Sequence, residues 1–89
     1  MKHSYLEVTF RNGKPLAAYI YLPRAAGVKS ARTETAAPGL LVDFDRQDEA
    51  IGIEITAPAA VRVDEINEIM KKFGLQELGP EELAPLRAA

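Results

Sequence analysis

Between residues 5 and 10, Tyr-Leu-Glu-Val-Thr-Phe, apolar and polar side chains alternate, so that Leu6, Val8 and Phe10 share one side and Tyr5, Glu7 and Thr9 the other. A period of two is that of a half-buried strand. After Arg11-Asn12-Gly13 the alternation resumes over residues 16 to 22, with Leu16, Ala18, Ile20 and Leu22 on one side and Ala17, Tyr19 and Tyr21 on the other. Asn12-Gly13 suits a two-residue type I′ turn, but that turn pairs Phe10 with Pro15 and Val8 with Ala17, which sets the apolar faces out of phase. A three-residue loop from Arg11 to Gly13 pairs Val8 with Leu16 and Leu6 with Ala18, and is the expected connection.

Pro23 to Gly27 breaks the pattern, and residues 28 to 36 are mostly polar. A strand there gains little from burial, so it belongs at a sheet edge or flexes. Pro38-Gly39 punctuates the chain before two strong strands, residues 40 to 45 and 50 to 55. With Arg46 to Glu49 as the loop, Phe44 faces Ile51, Val42 faces Ile53 and Leu40 faces Ile55, which places six large apolar side chains on one face.

Beyond Pro58 the period becomes helical: Ile66, Ile69, Met70 and Phe73 fall on one stripe. Asp64 is placed as N-cap with Glu65 in the first turn, Lys71 and Lys72 suit the negative end of the helix dipole, and Gly74 supplies a left-handed stop. Gly79-Pro80-Glu81-Glu82 can start a short helix, but Pro85 interrupts it. The pattern therefore predicts an α+β fold: a four- to five-stranded antiparallel β-meander, one amphipathic helix packed on one face, and a short C-terminal helical or irregular tail. Residues 1–75 form the single domain; residues 76–89 are expected to dock loosely through Leu78, Leu83 and Leu86, or to fray.

Composition narrows the function classes. At 89 residues there is no room for a second core, and 47% hydrophobic with 27% charged residues is ordinary for a globular chain. A formal charge of −2, with no basic run longer than Lys71-Lys72, gives no footprint for nucleic acid. The absence of cysteine removes disulfides, thiolate metal sites and thiol nucleophiles, and agrees with a reducing compartment. The first ten residues lack the apolar core of a signal peptide, and no stretch approaches the ~20 apolar residues of a membrane span. The expected location is the cytoplasm, without membrane partners.

The stretch Pro38-Gly39-Leu40-Leu41-Val42-Asp43-Phe44-Asp45, followed by Ile51-Gly52-Ile53-Glu54-Ile55, resembles a family of small bacterial and archaeal proteins, the domain-of-unknown-function family 2283. Its members read as Pro-Gly, an apolar run into Asp-Tyr-Asp or Asp-Phe-Asp, a turn, then Val-Gly-Ile-Glu-Ile. Ala18-Tyr19-Ile20-Tyr21-Leu22 is similar to the family's upstream strand, so the resemblance covers roughly residues 5 to 57. The chain departs from the pattern where the family's Asp-x-Asp-x-x-Gly turn has no glycine, Asp48 and Glu49 standing there instead, and in its opening turn; the resemblance is to a divergent member. The family brings no activity with it. Some members resemble partners in small two-gene cassettes of the toxin and antitoxin kind, which implies an antitoxin-like association with a co-expressed protein.

Candidate chemistry is sparse. Asp43, Asp45, Gln47 and Glu54 fall at positions one, three, five and twelve of a calcium-loop template, but Asp48 takes the place of its glycine and both flanks are strands, so no metal site is expected. Asp43, Asp45 and Glu54 remain an acidic hairpin face that a small ligand-binding domain or enzyme could use, the alternative function. The single imidazole, His3, stands near a terminus, and no catalytic residue or cofactor is expected. Tyr5, Tyr19 and Tyr21 all fall on the face opposite the apolar one, with Leu41 joining them. One helix covers one face, and tyrosine is favoured at interfaces. The expected function is thus a non-enzymatic interaction or dimerisation module, a homodimer through the tyrosine face or a sheet edge, with a protein as the further partner.

Overall fold

Two hairpins and one further strand make the sheet. The computed structural model describes residues 3–24 and 27–87; residues 1, 2, 25, 26 and the last two of the tail lie outside the described residues. Strand β1 (Tyr5–Arg11) runs into β2 (Lys14–Tyr21), followed by β3 (Arg32–Ala37), β4 (Leu40–Phe44) and β5 (Ala50–Ile55). Helix α1 (Val63–Lys72), a single-turn α2 (Pro80–Leu83) and a 3₁₀ turn (Ala84–Arg87) complete the chain. The fold is α+β, with all five strands antiparallel in the order β1-β2-β5-β4-β3. Strands β3, β4 and β5 form a meander; β2 pairs with β5 rather than with β3.

The β1–β2 connection corrects the expected turn. Asn12 (φ 53°) and Gly13 (φ 76°) form the two-residue turn, Arg11 pairs with Lys14 and Phe10 with Pro15. The phase problem is solved by a bulge on β2: Leu16 has no partner, so Thr9 pairs with Ala17, Val8 with Ala18 and Leu6 with Ile20. Both turn residues accept the left-handed backbone that a type I′ turn demands. Leu16 is thereby left outside the core, 51% exposed, and Phe10 beside it is 47% exposed.

A second bulge corrects the β4–β5 register. Val42 opposes Ile53 and Leu40 opposes Ile55 as expected, but Phe44 opposes Ala50, and Ile51 is the extra residue. Ile51 is buried, yet stands apart from the cluster that Val42, Phe44, Ile53 and Ile55 share. The turn is tighter than four residues: the Asp45 N–H donates to the Glu49 carbonyl at 2.9 Å, and Asp48 takes φ 62°.

Ala18, Ile20, Leu22, Leu40, Val42, Phe44, Ile53 and Ile55 line the inner face of the sheet, and Ile66, Ile69 and Met70 of α1 close over it. Phe73 meets Phe44 edge to face at 5.6 Å between ring centres. Each large side chain taken fully from water contributes roughly 1.5–3 kcal/mol, so this layer is the main source of stability. The helix begins two residues earlier than its acidic residues suggest: Arg62, not Asp64, is the N-cap, and its backbone N–H donates to the Glu65 carboxylate at 2.9 Å. Glu65 thus serves from the third helical position, as in the second half of a capping box. At the other end Leu75 N–H donates to Met70 O and Gly74 N–H to Lys71 O, a Schellman closure with Gly74 at φ 68°.

Residues 75–86 complete the inner layer. Leu78, Leu83 and Leu86 are buried in the same cluster, and α2 and the 3₁₀ turn lie against β1 and β2. Asn67 of α1 fixes this segment: its amide donates to the Leu78 carbonyl at 2.9 Å and accepts from the Leu78 N–H at 2.8 Å.

Candidate interaction surface

Strand alternation leaves Tyr5, Glu7, Tyr19, Tyr21, Leu41, Asp43, Gly52 and Glu54 to the face opposite this core, where they are half-buried or exposed apart from Gly52. The three tyrosines are in contact. Tyr5 and Tyr21, direct partners across β1 and β2, stack at 4.6 Å with 14° between ring planes. Tyr19 meets Tyr21 edge-on at 4.7 Å. The Arg24 guanidinium sits 5.1 Å from the Tyr21 ring centre, a cation–π contact. The Tyr21 hydroxyl donates to Glu7 at 3.3 Å, and the Glu7 charge, followed by burial, raises its pKa above the ordinary tyrosine value.

Tyr19 reaches further. Its ring lies across β5 over Gly52, where a methyl group would overlap the ring and hydroxyl. The space left by that glycine lets the Tyr19 hydroxyl donate to Asp43 Oδ2 at 2.7 Å, two strands away. Thr33 on β3 donates to the other carboxylate oxygen at 2.5 Å. Burial first, then the hydrogen bond and charge of Asp43, hold the Tyr19 hydroxyl well above the usual tyrosine range. From Tyr5 to Thr33 the row spans every strand of the sheet.

The expected acidic trio is distributed differently. Asp43 is engaged by Tyr19 and Thr33. Asp45 turns its Oδ1 to the backbone N–H groups of Gln47 and Glu49, at 2.8 and 3.0 Å, and so shapes its own hairpin. Glu54, half-buried opposite Tyr19 and Leu41, lines a shallow depression with Glu7, Thr9, Ala17, Ala18 and Tyr19. Among the described residues no three His, Asp or Glu side chains gather to hold a metal, and no helix is long and apolar enough to cross a membrane. Exposed His3 lines a separate cleft with Pro23, Leu75 and Glu82.

Sequence reasoning located the tyrosines, Leu41, Asp43 and Glu54 but missed Thr33 and Arg24. Thr33 becomes visible only with the β3–β4 register, which sets it opposite Asp43; Arg24 lies in an irregular connection without periodicity. No curated protein and no solved structure matches the chain. Residues 17–57, from β2 through β5 and including Tyr19, Asp43 and Gly52, match the family described as "Protein of unknown function (DUF2283)", so this part of the chain is similar to that family.

Proposed function

We propose that this chain is a non-enzymatic protein-interaction module whose contact surface is the outer sheet face around Tyr5, Tyr19, Tyr21 and Leu41. The observation that carries the reading is the tyrosine row itself. Three large amphipathic rings stand stacked and edge-on, on the sheet face away from α1 and the C-terminal leucines. Rings already held by their neighbours lose little conformational freedom on docking, which is what favours tyrosine in contact surfaces. Glu7 and Glu54 give the face a negative rim, so the fitting partner is a protein surface presenting arginine or lysine. Arg24 against Tyr21 is an intramolecular instance of that contact. A co-expressed protein, in the antitoxin-like manner implied by the family resemblance, is the occupant to look for.

The test uses the double substitution Tyr5→Ser with Tyr21→Ser, which leaves the Tyr19–Asp43–Thr33 hydrogen bonds in place. Immobilised wild type is expected to retain a protein from native lysate that the double variant retains at least about tenfold less, since buried tyrosines are common binding hot spots. Equal retention by both would refute the proposal.

A further inference from the structure

The two edges of the sheet are built unlike each other. Edge strand β3, Arg-Thr-Glu-Thr-Ala-Ala, is polar and almost wholly exposed, carries a bulge at Ala36, and pairs Arg32 with Glu34 along its own length. These are the devices that keep an edge from pairing with another chain. Edge strand β1 has neither the bulge nor an ion pair along its own length, and its charges, Glu7 and Arg11, stand only on the outer face. Its seven residues contain no proline or lysine, the nearby bulge lies on β2, and inner-face Leu6, Val8 and Phe10 alternate with Tyr5, Glu7, Thr9 and Arg11. The large apolar side chains that stay exposed among the described residues, Tyr5, Phe10 and Leu16, all belong to this hairpin.

We propose that β1 pairs antiparallel with β1 of a second copy about a twofold axis at Val8, joining two five-stranded sheets into one. This does not depend on the outer face binding a protein. The sequence of β1 is complementary to its own reverse in that register. Val8 meets the second copy's Val8, and exposed Phe10 meets half-buried Leu6, so apolar residues pair on the inner face. On the outer face Arg11 comes to Tyr5, with Glu7 diagonal to it and Thr9 opposite Glu7; each charge thus meets an opposite charge, a ring or a hydroxyl. Shifting the axis one residue back to Glu7 would set that carboxylate against itself. Such an interface is isologous, and backbone hydrogen bonds of strand addition supply its affinity.

Sedimentation velocity at rising concentration tests it. Wild type is expected to reach dimer mass. Phe10→Lys, at an exposed position, is expected to halve that mass with an unchanged circular dichroism spectrum, whereas Tyr5→Ser with Tyr21→Ser, the outer-face variant, is expected to keep a measurable dimer. In this cysteine-free chain, Val8→Cys is expected to cross-link under mild oxidation and Thr9→Cys is not. A monomeric wild type, a dimer that survives Phe10→Lys, or cross-linking at Thr9 instead of Val8 overturns the proposal.

Discussion

Asp48 occupies a left-handed position, φ 62°, at the tip of the β4–β5 hairpin. Aspartate tolerates that conformation better than most residues, and here its exposed carboxylate accepts from Arg32 Nε at 3.2 Å; a branched side chain does not tolerate it. Asp48→Val is therefore expected to lower stability by about 1–2 kcal/mol, while Asp48→Gly stays within ~0.5 kcal/mol of wild type, strain relief offsetting the extra freedom of the unfolded chain. Urea midpoints compared across the three proteins check this. Tyr19 gives a second residue-level outcome. Its hydroxyl keeps its proton in the fold at a pH where the unfolded chain, with an ordinary value of 10.0, has released it. Unfolding then releases a proton, so stability falls as pH rises above about 10. An ultraviolet titration is expected to show a tyrosine step well above the ordinary range, which Tyr19→Phe removes; the absence of that step from wild type contradicts it. The shared outer face of the three rings was legible from period two alone. Their contact with Asp43 was not, because it depends on the empty space above Gly52.

Elements were legible where one local signal decided them, and misread where two signals competed. The periodicity of β1, β2, β4, β5 and α1 placed each of them within a few residues. At Asn12-Gly13 turn chemistry and facial register disagreed, and the structure satisfies both by spending one residue, Leu16, on a bulge. At the start of α1 the first suitable N-cap side chain was not the cap; Arg62 holds the position because Glu65 reaches back to its backbone. The link between α1 and the tail was invisible to pattern, since Asn67 reads as one more polar helix position. Its side chain nevertheless makes a two-point bond with the Leu78 backbone, in the manner of a strand pair. Asn67→Ala leaves both Leu78 groups without that partner and is expected to cost about 1–3 kcal/mol, measured by denaturant unfolding. A loss below ~0.5 kcal/mol would show that water replaces the amide there without penalty.

At the scale of the whole molecule, the layer arrangement followed from composition and period, because a sheet with one apolar face and one amphipathic helix have few ways to pack. Strand order did not. Neighbouring strands usually pair, and nothing local marks β5 as the partner of β2. What the chain does encode is an obstacle to the wrong choice: β3, next after β2, is polar on both sides, with five of its six residues exposed. Without β5, a β1–β2 hairpin leaves the far edge of β2 unpaired. Pairing with β3 would bring no large apolar side chain beside Ile20. β5 fills that place with Ile53 opposite Ile20 and Ile55 opposite Ala18, so the central seam of the sheet rests on a contact distant in sequence.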